Sequence, residues 1–218
     1  NFLQKNDLRT TKMMKIANHL KFGNYKWNLN RLDLDLALQF LPVMSKEFKK
    51  DRDEKTINWY LIDETDTRML NEIIDNPNMY AKRLKAWHNA LVSVVVPIHN
   101  VENYIDECIH SILNQSLKNI EVVCVDDGCQ DSSIEKVAKY WAKDPRINLI
   151  HQFNRGLSGA RNCGMHSAHA DFIMFCDSDD TYDKTMCEKL YTDISDSQAD
   201  LSACGINVVY HSNFDNQR

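Results

Sequence analysis

From Val92 onward the chain alternates short apolar runs with stretches of helical period, and this alternation limits the possible folds more than any other feature of its 218 residues. Val92-Ser93-Val94-Val95-Val96 is a β-branched run stopped by Pro97, the pattern of a buried strand. Tyr104, Ile105, Cys108, Ile109, Ile112 and Leu113 then fall at helical spacing. A second apolar run, residues 120–125, ends in Asp126-Asp127-Gly128. A helix through Ile134, Val137, Ala138 and Trp141 follows, closed by Pro145, and a third strand is expected over 147–151. A helix over 157–168 leads to a fourth strand, 172–176, which ends in Asp177-Ser178-Asp179-Asp180. One more helix carries Met186, Leu190 and Ile194, and residues 201–210 read as a further strand. Such alternation predicts an α/β fold, a mainly parallel sheet with helices on both faces.

Residues 1–90 have a different texture and read as a separate helical region, with the α/β unit over 91–218. They contain one glycine, Gly23. Met13, Ile16, Ala17 and Leu20 mark one helix; Leu32, Leu34, Leu38 and Leu41 mark another, expected to end near Pro42. The charged run 46–55 reads as a linker or a helix surface, and helical pattern returns over 69–74 and, after Pro77, over 80–91. The charge also breaks here: residues 1–90 hold 16 Lys/Arg and 12 Asp/Glu, whereas 91–218 hold 10 and 19. An acidic unit of this kind is a poor partner for nucleic acid, whose phosphates need Lys and Arg. All seven cysteines lie from Cys108 onward without a CxxC pair, a pattern of free thiols in a reducing cytosol rather than a zinc site. No run of about 18 apolar residues suits a membrane span. The chain opens on Asn1, and is read as part of a longer protein.

In parallel sheets ligands bind beyond the carboxyl ends of the strands, where the polar clusters 97–100, 126–128 and 177–180 all fall. Three carboxylates within 177–180 repel one another unless a cation or donors compensate, and hard oxygen ligands suit Mg²⁺ or Mn²⁺. Asp126-Asp127-Gly128 is a second acidic tip whose glycine permits a tight turn. The segment Asn154-Arg155-Gly156-Leu157-Ser158-Gly159-Ala160-Arg161-Asn162-Cys163-Gly164 opens a helix, whose free N–H groups favour anions, and Arg161 adds a planar fork for phosphate or a base carbonyl. It is neither GxGxxG nor a P-loop.

Taken in order, residues 92–100, Tyr104-Ile105, Ser111-Ile112-Leu113-Asn114-Gln115-Ser116, Val125-Asp126-Asp127-Gly128, Gly156 to Gly164 and Asp177-Ser178-Asp179-Asp180 resemble the family 2 glycosyltransferases of the GT-A fold. The likeness covers residues 92 to about 195. It implies a metal-dependent, inverting transfer of sugar from a nucleoside-diphosphate-sugar, expected to be a UDP-sugar, to a glycan or lipid-linked acceptor in bacterial surface polysaccharide synthesis. By the same resemblance Pro97, His99, Asn100 and Glu102 line the nucleoside side of the pocket, with His99 where the family commonly has Tyr. Asp127 would bond the base, Gly156 and Arg161 would serve base or diphosphate, and Asp177 and Ser178 the ribose or sugar. Asp177 and Asp179 would hold the Mn²⁺ or Mg²⁺. Cys129-Gln130 replaces the family's usual Ser-Thr after Asp-Gly.

In such enzymes a carboxylate base deprotonates the acceptor. No acidic pair after Glu188 has a convincing context, so no catalytic residue is assigned, and the base is expected beyond residue 218, in a larger bacterial glycosyltransferase of which this is the N-terminal part. The expected location is cytoplasmic, at the inner face of the membrane, with the parent protein associated peripherally. Two other readings stand beside this one: a nucleotidyltransferase that makes the sugar nucleotide, and a non-catalytic scaffold that binds it. The first usually carries a basic glycine-rich loop after its first strand, where this chain has Pro97-Ile98-His99-Asn100-Val101-Glu102.

Overall fold

The computed structural model describes residues 34–54 and 64–208. A four-stranded sheet lies at its centre: β1 (Val92–Ile98), β2 (Ile120–Asp127), β3 (Ile147–Gln152) and β4 (Phe172–Phe175), in spatial order β3-β2-β1-β4. All neighbouring pairs are parallel. Preceding the sheet are α1 (Leu34–Asp53), α2 (Glu64–Asp75) and α3 (Pro77–His88). Between and after the strands come α4 (Ile105–Leu113), α5 (Ser133–Trp141), α6 (Gly156–Ser167) and α7 (Met186–Ser197). The fold is α/β, as the alternation of the sequence predicts.

Strand parity assigns the two faces. Val94, Val96, Val122, Cys124, Ile147 and Leu149 share a core with Ile109 and Ile112 of α4 and Val137 of α5. Val95, Val123, Val125 and Ile150 meet Ala160 of α6 on the other face. With both faces covered, β1 is buried at every position and shows no polar alternation. The chain steps outward from β1 to β3, then crosses to the far side of β1 to lay down β4. That reversal makes a switch point between β1 and β4 at the carboxyl edge, the place where open parallel sheets bind ligands.

At the opposite edge the sheet buries a carboxylate. Glu121 is wholly inaccessible, and it accepts from Ser93 Oγ at 2.7 Å, Asn148 Nδ2 at 3.1 Å, and the backbone N and Nδ1 of His169, both at 2.8 Å. Four donors compensate the lost hydration and tie β1, β2, β3 and the α6–β4 turn together.

The first three helices have a core of their own, with Ala37, Leu41, Met44 and Phe48 of α1 against Leu70, Ile73, Tyr80 and Leu84. They sit along the edge strand β3 and the preceding turn. Arg83, only 1% exposed, pairs with Glu72 at 2.7 Å and donates to the carbonyls of Trp141, Asp144 and Ile147. Trp87 stacks on His169 at 5.3 Å between ring centroids.

Several boundaries differ from the sequence reading. α1 does not stop at Pro42 but runs through it to Asp53. The missing N–H and ring clash cost about 3 kcal/mol, which the buried stripe Ala37, Leu41, Met44 and Phe48 on both sides of the proline offsets. The charged run from residue 46 is therefore helix surface as far as Asp53, with Phe48 turned inward. α3 ends at His88, where Asn89 closes it with backbone and side-chain bonds to Lys85 O, and Leu91 N–H already bonds Asn119 O. β1 continues through Pro97 to Ile98. Pro97 has the parity of Val95, whose carbonyl accepts from Cys176 N–H on the β4 side. Its absent N–H therefore faces the side where β4 has ended, and no ladder bond is lost. Residues 201–208 form no strand; Leu201, Ile206 and Val208 are exposed and pair with no strand among the described residues. The helix expected around Met13–Leu20 lies outside the described residues, as does Tyr210. All seven thiols are unpaired, and Cys204 is exposed rather than buried.

Candidate functional site

Every polar cluster picked out in the sequence sits at the carboxyl edge of the sheet. Register fixes the lateral order: Asp127 ends β2 opposite Gln152 of β3, Ile98 ends β1 opposite Asp126, and Asp177 follows β4 on the far side of β1. His99 and Asn100, just beyond β1, lie between the two acidic tips.

Asp127 is 3% exposed. Its Oδ1 accepts from Gln152 Nε2 at 2.6 Å and from Arg155 N–H at 2.7 Å, just before α6. With both bonds on one oxygen, Oδ2 keeps its capacity to accept from a ligand. His99 donates through Nδ1 to Asp127 O at 3.0 Å, which fixes its tautomer, because a carbonyl can only accept. Asn154 Nδ2 lies 3.4 Å from the same ring. Asn100 adopts φ 53°, a left-handed conformation that Asn tolerates, and its Oδ1 accepts from Gln130 N–H at 2.7 Å.

Asp126, next to Asp127, is used differently. Burial raises its carboxyl's proton affinity, but His151 Nδ1 at 2.7 Å and Cys129 N–H at 2.9 Å overcome that and hold it below the ordinary carboxylate value. Gly128, at φ +74°, completes the turn. The Cys129 thiol is pushed up to about 12 by burial and the neighbouring carboxylates, so it is inert as a nucleophile.

Gly156 begins α6 at φ +72°, and α6 carries Arg161 toward the second acidic tip. Arg161 Nη2 bonds Asp177 Oδ1 at 2.5 Å, and its guanidinium lies 5.8 Å from the Phe175 ring centroid. Arg161 Nε is buried without an acceptor, so Asp177 alone does not satisfy the guanidinium. Ser178 is buried, Asp179 and Asp180 are exposed. The Asp180 carboxyl is raised above its ordinary value, first by partial loss of hydration and then by the charges of Asp179 and Asp177. Behind this loop Gln115 is fully buried, donating to Asp183 O at 2.7 Å and accepting from Cys187 N–H at 2.9 Å.

α6 thus joins the two tips: Arg155 at its start bonds Asp127, and Arg161, nearly two turns on, bonds Asp177. Among the described residues no three His, Cys, Asp or Glu side chains gather into a metal site of their own. Asp177 and Asp179 are two hard carboxylates in one loop, a donor pair that would suit a divalent cation completing its shell elsewhere. Pro97 is buried in β1 on the way to this edge. Glu102 is placed differently: its carboxylate accepts from Ser132 N–H at 3.0 Å and its carbonyl from Lys136 Nζ, so it braces the β2–α5 connection. Gln152, His151 and Arg155 N–H were not picked out in the sequence. Gln152 could have been found by aligning strand ends, since register places it opposite Asp127.

Residues 93–218 match the family model described as Glycosyl transferase family 2. The chain belongs to this family. Glycosyltransferase EpsJ of Bacillus subtilis (strain 168), itself uncharacterised, is 44% identical over 115 residues, 53% of this chain and 33% of that protein. Glycosyltransferase GlyA of Streptococcus pneumoniae serotype 4 is 43% identical over 111 residues, 51% of this chain and 16% of that protein. The chain therefore spans a third or less of the length of these two relatives. Among solved structures, S. aureus TarS 1-349 in complex with UDP is similar at 29% identity and a TM-score of 0.44, over 57% of this chain and 39% of that one. The α/β sheet described above is the GT-A part of a family 2 member, preceded by a helical layer that the family model does not include.

Proposed function

We propose that the carboxyl edge of the sheet binds a nucleoside-diphosphate-sugar, with a UDP-sugar as donor, together with Mn²⁺ or Mg²⁺, for inverting transfer to a glycan or lipid-linked acceptor. The supporting observation is the single helix, α6, that bonds both acidic tips, Asp127 through Arg155 N–H and Asp177 through Arg161. Asp127 Oδ2 accepts from the base. His99 and Asn100 border the nucleoside, and the N–H groups at the start of α6 with Arg161 face the diphosphate. Asp177 and Asp179 would hold the cation, which supplies charge neutralisation for the departing nucleoside diphosphate. Ser178 and Asp177 contact ribose or sugar hydroxyls. The acceptor's base is assigned to no described residue. We place the protein at the cytoplasmic face of a bacterial membrane, in surface polysaccharide synthesis; no described helix is long and apolar enough to cross a membrane.

The test is thermal denaturation with UDP, GDP, CDP and ATP, each with Mn²⁺ and with EDTA. A ligand at 100 times its dissociation constant adds about 2.7 kcal/mol of apparent stability. UDP with Mn²⁺ is expected to give the largest shift, and Asp179→Ala to remove its metal-dependent part. A larger shift with ATP, or equal shifts with metal and with EDTA, would refute the proposal.

A further inference from the structure

β3 is an edge strand of the sheet, so its outward N–H and C=O groups need partners from elsewhere. The helical layer supplies them at both ends. Ile147 O, at the start of β3, accepts from Arg83 Nη1 of α3 at 3.2 Å. His151 N–H, one residue before its end, donates to Thr65 Oγ1 of α2 at 2.8 Å. From His151 two links lead inward. Its Nδ1 donates to Asp126 Oδ2 at 2.7 Å, while Asp126 Oδ1 accepts from Cys129 N–H and closes the turn around Asp127 and Gly128. The next residue, Gln152, donates to Asp127 Oδ1 at 2.6 Å. The His151 side chain is 8% exposed, and Glu64 Oε1, 3.7 Å from its Nε2, is too far for a hydrogen bond. Among the described residues Asp126 is the one side chain that hydrogen-bonds the ring.

We propose that the helical layer takes part in nucleotide binding: Thr65 and His151 are positioning residues that set the β2 and β3 tips at the spacing in which Asp127 meets the ligand. This inference rests on the donor-site reading above. Thr65 fixes the height of β3 against β2, His151 fixes the acidic turn, and neither touches the ligand. Thr65 lies before residue 93, where the match to the family model begins, whereas His151 lies within it.

The experiment is calorimetric titration of the full chain with UDP and Mn²⁺, at a temperature well below the unfolding midpoint of every variant. His151→Leu is expected to weaken UDP binding about tenfold, as loss of one hydrogen bond to a charged group would. Thr65→Val should weaken it about threefold, with Thr65→Ser unchanged. His151→Asn, whose amide N–H can stand where Nδ1 does, should recover most of the loss. Arg52→Ala, which breaks only the exposed pair with Asp75 within the helical layer, should bind UDP as the unaltered chain does. Should His151→Leu fold poorly, the Thr65→Val and Thr65→Ser comparison decides. Lower unfolding midpoints with unchanged UDP affinity in the Thr65 and His151 variants would overturn this inference alone. Absence of UDP binding by the unaltered chain would overturn the donor-site reading along with it.

Discussion

At Gly164 α6 lies directly against Val95 of β1, and replacing this glycine with alanine tests whether that contact holds the site in place. A Cβ at this position would stand 2.3 Å from Val95 Cγ1 and 3.2 Å from Val125 Cγ2. Carbon atoms rest at about 3.5–4.0 Å, so α6 must lift by about 1 Å or Val95 must leave its rotamer. Val95 and Val125 are fully buried in central strands and have nowhere to move. Overpacking of this kind costs about 1–3 kcal/mol, while alanine's helix propensity returns about 1 kcal/mol. The net expectation is a loss of roughly 0–2 kcal/mol. Urea unfolding of Gly164→Ala, Val95→Ala and the double variant forms a cycle in which the new methyl fills part of the space that Val95 vacates. The coupling should favour the double variant by about 1–2 kcal/mol. Because α6 carries Arg155 N–H and Arg161, UDP affinity should fall in Gly164→Ala and recover in the double variant. Additive single effects, or a stabilised Gly164→Ala, would refute the packing argument.

Two further outcomes follow from buried charge. Arg83→Met leaves the Glu72 carboxylate and three carbonyls without their donor, and should cost about 3–5 kcal/mol in urea unfolding; adding Glu72→Gln should restore part of it. Asp126 titrates below its ordinary value of 3.8 in the fold, held down by His151 and Cys129 N–H against burial. Its contribution is therefore fully present above that value and lost as pH falls through the lower folded value. The stability difference between the unaltered chain and Asp126→Asn should hold steady from neutral pH to about 4 and shrink below it.

Local pattern carried much of the sheet. Its strands are short apolar runs between turn residues, β-branched in β1 and β2, and parallel pairing follows from the intervening helices, so 92–96, 120–125 and 147–151 are legible to within two residues. Errors came where tertiary context overrode a local rule. Pro42 is a helix breaker by itself, yet the stripe from Ala37 to Phe48 carries α1 through it. Pro97 stops a strand by itself, yet its lost donor points where β4 has already ended. Residues 201–208 have strand composition but pair with no strand among the described residues. Acidic tips could be read directly, since Asp at strand ends in a parallel sheet can only gather at one edge. The partners of those tips could not, because Gln152 and Arg155 reach Asp127 through register and helix placement rather than through sequence spacing. Glu102 likewise bonds Ser132 N–H through Oε2, a contact that its place in the motif does not announce.

Arg161 and Asp177 illustrate how the proposed site could accept a ligand without rebuilding itself. The two side chains are 35% and 43% exposed, and pairs in such surroundings contribute about 0–1 kcal/mol. Breaking the pair therefore costs little. A diphosphate arriving at the start of α6 offers Arg161 two or more anionic oxygens in place of one, and the buried Nε gains a possible acceptor. Asp177, released, would be free to hold a cation together with Asp179, or to accept from a sugar hydroxyl. Asp127 stands in contrast: it is buried and doubly bonded through Oδ1, so it keeps its place while the other tip exchanges partners. In the proposed site the rigid tip would serve the base, which transfer leaves unchanged, and the exchangeable tip the diphosphate, which gains charge as it departs.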